Sequence, residues 1–253
     1  MSNTYFRLLN NLENLGLNEI KIQLDNVLTR FNDGELDFTE ALFELTEREI
    51  FIKKERARNA LIKTANFPYI KTFEDFDFSF QPFLNKNEIL DLKYLKFLEF
   101  HQNILFLGPP GVGKTHLATS VGIEAAKNRI GTYFISCHDL VLQLKKAHLE
   151  NRLEQKLRSY TSYTILIIDE VGYLPLDKDA SNLLFQLIAK RYERKTTIIT
   201  TNKSFNEWGE VFGDTVLANA ILDRLLHHSK VFNIKGRSYR TKDVIKMEGD
   251  NSK

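Results

Sequence analysis

From Gly108 to Thr115 the chain reads GPPGVGKT, a fit to the spacing G-x-x-x-x-G-K-[ST]. Glycines at these places let backbone N–H groups turn inward around phosphate oxygens, and a helix starting at the lysine presents its positive end to the same anion. In this reading Gly108, Pro109, Pro110, Gly111, Val112 and Gly113 shape a cradle. Lys114 reaches the β and γ phosphates, Thr115 ligates Mg²⁺ through its hydroxyl, and His116 completes the nucleotide-contacting set. ATP and Mg²⁺ are the expected ligand and ion. A Gly/Pro-rich turn joining a strand to a helix has the same residue types, but the apolar ILFL before it and the amphipathic pattern after it are the context a phosphate loop requires.

A carboxylate partner for the metal stands in YTILIIDEVGYLP. Ile165 to Ile168 read as a strand buried on both faces; charge is then expected only at its end, which in parallel sheets is where ligands bind. Asp169 fits a Walker B carboxylate that holds Mg²⁺, and Glu170 is placed to polarise the water attacking a γ-phosphate. Taken alone, the Asp-Glu pair also reads as a strand meeting its loop. In RKTTIITTNKSFNEW another strand ends at Thr200, Thr201 and Asn202. If that strand lies between the other two, Asn202 stands beside the γ-phosphate as a sensor; the other reading is an Asn in a turn.

These residues need a scaffold. The chain has 253 residues, 43% hydrophobic and 27% charged, the composition of an ordinary globular protein. Its single cysteine, Cys137, excludes an intrachain disulfide and a multi-cysteine zinc site. With no leader-like N-terminus and no apolar run of about 18 residues, a cytoplasmic protein without a membrane partner is expected. Residues 1–66 read as a small all-helical domain, with Leu17, Ile20, Leu24 and Leu28 on one helical stripe and Leu42, Leu45, Glu49 and Ile52 on another. Asp37 and Glu40 resemble a capping box. Residues 67–253 alternate helical stretches with the apolar runs NILFL, TYFI, TILIID, TTIITT and KVFNI, the pattern of an α/β domain with a five-stranded parallel sheet flanked by helices.

The order of phosphate loop, Asp-Glu strand, sensor Asn and arginine resembles the AAA+ ATPases, a P-loop NTPase class. One branch is similar in detail: the IstB-like helper ATPases of bacterial insertion-sequence transposition, relatives of the DnaC helicase loaders. The matching strings are FDFSFQP, GPPGVGKTHLA, ILIIDEVGYLPL, LLFQLIAKRYE, NEWGEVFGD, AILDRLLHHS and IKGRSYR. TTN stands where the family usually has Thr-Ser-Asn, which leaves the sensor in place. The resemblance implies that Arg224 is an arginine finger acting in trans within a homo-oligomer; a surface ion pair with Asp223 or another nearby acid is the alternative. It places Arg240 where related ATPases carry a second sensor, and FEDFDFSF near the adenine, where plain core packing is the other reading.

The net charge of +2 does not argue for a nucleic-acid partner, so local clusters must. Basic runs occupy residues 53–63, 144–159 and 235–246. Each also fits a solvated helix face. In the second run, the resemblance implies an extra helix between the TYFI and Walker B strands that contacts nucleic acid. Lys145, Lys146, Arg152, Lys156 and Arg158 are its candidate DNA contacts, meeting phosphates of duplex DNA largely without reading sequence. The expected function is an ATP-hydrolysing, DNA-binding helper that assembles on target DNA and regulates a partner, IstA-like transposase. A DnaC-like replicative helicase loader is the alternative.

Overall fold

The computed structural model describes residues 3–241, and the chain divides into two compact units, Met1–Ala60 and Leu61–Lys253. The first is built from α1 (Asn3–Asn14), α2 (Asn18–Asn32) and α3 (Phe38–Thr64), the last of which runs across the division. Its core gathers Leu12, Ile20, Leu24, Val27, Ala41 and Leu45. On α2 the stripe is Ile20, Leu24, Val27, an i, i+4, i+7 series. Leu28 is 37% exposed and Val27 takes the place expected for it. On α3 the stripe is Ala41, Leu45, Glu49, and the expected Leu42 is 50% exposed.

Glu49 explains why that stripe contains an acid. Leu17, the residue preceding α2, has no side chain able to cap it. The buried Glu49 carboxylate supplies the cap from α3, accepting from the backbone N–H of Glu19 at 2.8 Å and of Ile20 at 3.1 Å. Burial pushes this carboxyl upward, but those two bonds and Lys53 outweigh it and leave it below its ordinary range. Asp37 and Glu40 form the reciprocal capping pair at the start of α3, with N–H to carboxylate distances of 2.9 and 2.7 Å.

The second unit carries α4 (Lys86–Asp91), β1 (Asn103–Leu107), α5 (Lys114–Lys127), β2 (Thr132–Ser136), α6 (Cys137–Leu149), α7 (Leu153–Ser162), β3 (Ile165–Val171), α8 (Lys178–Arg191), β4 (Thr196–Thr201), α9 (Trp208–Phe212), α10 (Thr215–Leu226) and β5 (Ser229–Asn233). The five strands form one parallel sheet in the order β2-β3-β4-β1-β5. Successive strand residues face opposite ways. Ile104, Phe106, Ile165, Ile167 and Ile198 join α5 and the segment before β1, whereas Leu105, Leu166, Ile168 and Ile199 join α6, α8 and α10. Both faces are thus covered, as a parallel sheet requires, and the apolar runs read as strands for that reason.

β4 separates β3 from β1, the position on which the sensor reading of Asn202 depends. Between β2 and β3 the chain forms two helices, α6 and α7: a parallel crossover needs one, and the second is the extra helix expected here. The interruption falls at Asn151, whose φ of 55° ends the first helix, and Arg152 precedes the second.

Arg191, 1% exposed at the end of α8, ties these elements together. Its guanidinium donates to the carbonyls of Tyr160, Tyr163 and Thr196 and to the Thr197 hydroxyl. A buried cation needs several acceptors, and these four groups supply them.

Candidate functional site

β1 ends at Leu107 and the loop that follows closes before α5, whose first residue is Lys114. Gly111 and Gly113 have φ of 80° and 99°, in the left-handed region. A Cβ at Gly113 would lie 2.5 Å from the Phe76 ring, so that position admits glycine alone on two counts. The Lys114 ammonium donates to the carbonyls of Gly108 at 2.8 Å and Pro109 at 2.9 Å. Burial holds this amine below its ordinary value, opposed by the Asp169 charge and reinforced by Arg240. The Lys114 ammonium is thus partly dehydrated, which strengthens its attraction for an anion.

Opposite the loop, the C-terminal ends of β3 and β4 meet. Thr115 Oγ1 lies 3.0 and 3.2 Å from the two oxygens of the Asp169 carboxylate. Asp169 is 6% exposed and also accepts from the Thr200 hydroxyl. Burial raises its pKa, while the two threonine bonds oppose the rise. A buried carboxylate beside a threonine hydroxyl is a hard-oxygen pair that suits Mg²⁺. The residues present therefore fit the ion: Thr115 and Asp169 would hold it, directly or through water, and its charge would offset the cost of ionising Asp169 in a buried place.

The strand is irregular here. The register between β3 and β4 shifts between Ile168 and Val171, and Glu170 adopts φ 61°. Such geometry at a non-glycine residue costs about 1–3 kcal/mol and persists only when neighbours enforce it. Thr200 does so, its Oγ1 accepting the Glu170 N–H at 2.9 Å. The bulge turns the exposed Glu170 side chain into a cleft of about 470 Å³.

That cleft gathers Pro110, Gly111, Val112, Gly113, Lys114, Thr115, His116, Glu170, Asn202 and Arg240. Gly108 and Pro109 form the base of the loop, and Asp169 lies behind Thr115. His116 Nε2 is 2.8 Å from the Thr72 carbonyl and its ring meets Phe76 edge-on, with burial lowering its pKa. Phe76 is 9% exposed, packed in the core, and also lines the cleft. Arg240 sits in a short turn at Tyr239–Thr241, and the preceding segment straps the loop through the Tyr239 N–H, 2.9 Å from the Gly111 carbonyl.

Sequence reading missed Thr200 as an organiser and Tyr69, Lys71 and Tyr239 as cleft walls. Thr200 was visible as a hydroxyl at the end of the TTIITT run, but its place beside Asp169 depends on the pairing of β4 with β3.

Arg224 lies outside the cleft, on α10. Its guanidinium stands over the Phe185 ring at 4.9 Å and donates to the Ala220 carbonyl at 2.8 Å. Among the described residues it forms no ion pair, so the alternative pairing with Asp223 is not made.

The candidate DNA residues spread over α6, α7 and the junction between them. Lys146, Arg152 and Lys156 line a groove of about 440 Å³ between α6 and α7. Lys145 pairs with Asp177, Arg152 with Glu150, and Arg158 with Glu154 at 3.4 Å, while the Lys156 ammonium stands 5.0 Å from the Tyr160 ring centre. Exposed pairs are worth about 0–1 kcal/mol, so a phosphate can displace these acids. In the first basic run Arg56 pairs with Glu19 and Arg58 with Glu55. Residues 242–246 of the third run lie outside the described residues. Among the described residues no helix is long and apolar enough to cross a membrane.

A parallel sheet in this order, with a phosphate loop after β1, Asp-Glu near the end of β3 and a polar Asn202 after β4, defines a P-loop nucleotide-binding protein of the AAA+ type. The DnaC helicase loader structure is 25% identical with a TM-score of 0.54, covering 69% of this chain and 98% of that one. The chain belongs to the family of IstB-like ATP binding proteins, whose model matches residues 10–247. It is 52% identical over 250 residues to a Bacillus thuringiensis subsp. berliner protein named as the ATP-binding protein of insertion sequence IS232, covering 99% of this chain and 100% of that protein. A Geobacillus stearothermophilus protein named for insertion sequence IS5376 is 53% identical over 208 residues, 82% of this chain and 83% of that protein.

Proposed function

We propose that the protein hydrolyses ATP to ADP and phosphate, assembles on duplex DNA as a homo-oligomer, and regulates a partner transposase encoded with it. The observation that carries the hydrolytic part is the convergence of Lys114, Thr115, Glu170 and Asn202 on one cleft, with Asp169 behind them. Lys114 and the loop N–H groups hold the phosphates. Glu170 orients a water and accepts its proton as the oxygen attacks the γ-phosphorus and the bond to the β-γ bridging oxygen breaks. Asn202 fixes the same water or the γ-phosphate, and Arg224 of a neighbouring subunit stabilises the charge in flight. When bound, Mg²⁺ neutralises phosphate charge.

The role in transposition rests on likeness over 99% of the chain, N-terminal unit included, to a protein named for an insertion sequence. The likeness to a helicase loader covers 69% of the chain, which makes loading a helicase the second reading. Lys146, Arg152 and Lys156 around one groove support binding to DNA phosphates without base readout.

The test is steady-state ATPase activity against added duplex DNA of unrelated sequences at rising salt. Stimulation by every duplex, lost as salt rises, supports the reading. Activity that ignores DNA under all conditions refutes the DNA-assembled machine.

A further inference from the structure

Away from the nucleotide cleft, three side chains from two parts of the second unit converge. Glu193 follows the end of α8, and His227 and His228 follow α10 at the start of β5. One ligand atom from each lies within 4.8 Å of the others. Glu193 Oε1 is 3.5 Å from His227 Nδ1 and 3.8 Å from His228 Nε2, and the two imidazole centres are 4.0 Å apart. Neighbouring ligands on a tetrahedral zinc ion, with bonds of about 2.0–2.1 Å, are separated by about 3.4 Å. The carboxylate therefore stands near bonding separation from both nitrogens.

The backbones beneath these groups are pinned. Glu193 has φ 55° in a tight turn closed by the N–H groups of Arg194 and Lys195 donating to the Arg191 carbonyl at 3.1 and 3.0 Å. His227 N–H donates to the Asp223 carbonyl at 3.0 Å, and the His228 carbonyl accepts from Asn103 N–H at 2.8 Å. Side chains on such anchored segments lose less freedom on binding than those on a loop.

A hydroxyl completes the surroundings. Tyr192 OH lies 2.8 Å from His227 Nδ1. On metal binding the hydroxyl would give up the imidazole nitrogen to the ion.

We propose that Glu193, His227 and His228 form a binding site for a zinc-class divalent transition-metal ion. Two imidazoles and one carboxylate suit Zn²⁺, Co²⁺ or Ni²⁺ and not the hard Mg²⁺ expected at Thr115 and Asp169. All three side chains are about half exposed, which leaves the fourth position open to water. The ion bridges the end of α8 to the end of α10, the two helices that carry Phe185 and Arg224. Its place in the fold thus makes it a clamp on the platform from which Arg224 projects.

The test uses the full-length chain without an added histidine tag, stripped with chelator and free of nucleotide, and titrated with Co²⁺ and with Zn²⁺. One equivalent of Co²⁺ should give visible bands of tetrahedral intensity, and calorimetry should show one Zn²⁺ bound. His228→Ala and Glu193→Gln should each weaken binding about tenfold or more and remove the bands. Asp169→Asn should leave both signals intact, which separates this site from the Mg²⁺ position. Absence of binding in the parent protein overturns the proposal, as does unchanged binding in both variants while circular dichroism shows them folded.

Discussion

The Thr200 hydroxyl on β4 donates to the buried Asp169 carboxylate on β3. The same oxygen accepts the Glu170 N–H at 2.9 Å, so one side chain holds the metal-side acid and the backbone of the proposed base in register. Thr200→Val keeps the shape and removes both bonds. A buried group left unpaired costs about 1–3 kcal/mol, and urea unfolding should show a loss on that scale. The turnover rate should fall more than the affinity for ATP, because Glu170 loses its aim while the phosphate loop is untouched.

Glu170→Gln removes the proton acceptor but keeps size and polarity. Steady-state hydrolysis should fall about 100-fold or more, with binding of a fluorescent ATP analogue within a few-fold of the parent protein. Hydrolysis at the parent rate would take the base role away from Glu170.

Arg224 is absent from its own chain's cleft and stands over Phe185. If it serves a neighbour, Arg224→Ala and Lys114→Ala are each inactive alone but complementary. Mixing them should restore part of the activity, since some interfaces then combine an intact Lys114 with an intact Arg224. A mixture as inactive as its components would contradict action in trans.

Cys137 is buried at the start of α6, and burial pushes its thiol up to about 12. Folding therefore favours the protonated form. The associated stability is present below the ordinary thiol pKa of about 8.5 and is lost as pH rises from there through the folded value. Iodoacetamide at about pH 8.5 should leave the native thiol unmodified, and labelling followed by mass spectrometry should track denaturant unfolding. Fast labelling of the folded protein would show that the thiol is accessible.

Much of the site was legible because its chemistry is local. The loop from Gly108 to Thr115 is contiguous, and Asp169 with Glu170 ends a strand whose apolar run marks it as central. Asn202 was legible only conditionally, since its role needs β4 between β3 and β1, a pairing that no local pattern encodes. The core of the N-terminal unit was harder. Val27 and Leu28 both fit a helical stripe, and which one is buried depends on the neighbouring helices. Glu49 spoiled an apolar pattern because its partners are N–H groups on another helix, invisible to periodicity. The basic run 144–159 showed its charges and the acids Glu150 and Glu154 within it, but not Asp177, which pairs with Lys145 from beyond β3.

The strap that joins Tyr239 to Gly111 belongs to the same short run of chain as Arg224. From α10 the polypeptide passes through β5, a strand at the sheet edge paired to β1, and arrives directly over the phosphate loop. What a subunit would offer its neighbour and what it would sense in its own cleft are therefore two ends of one lever.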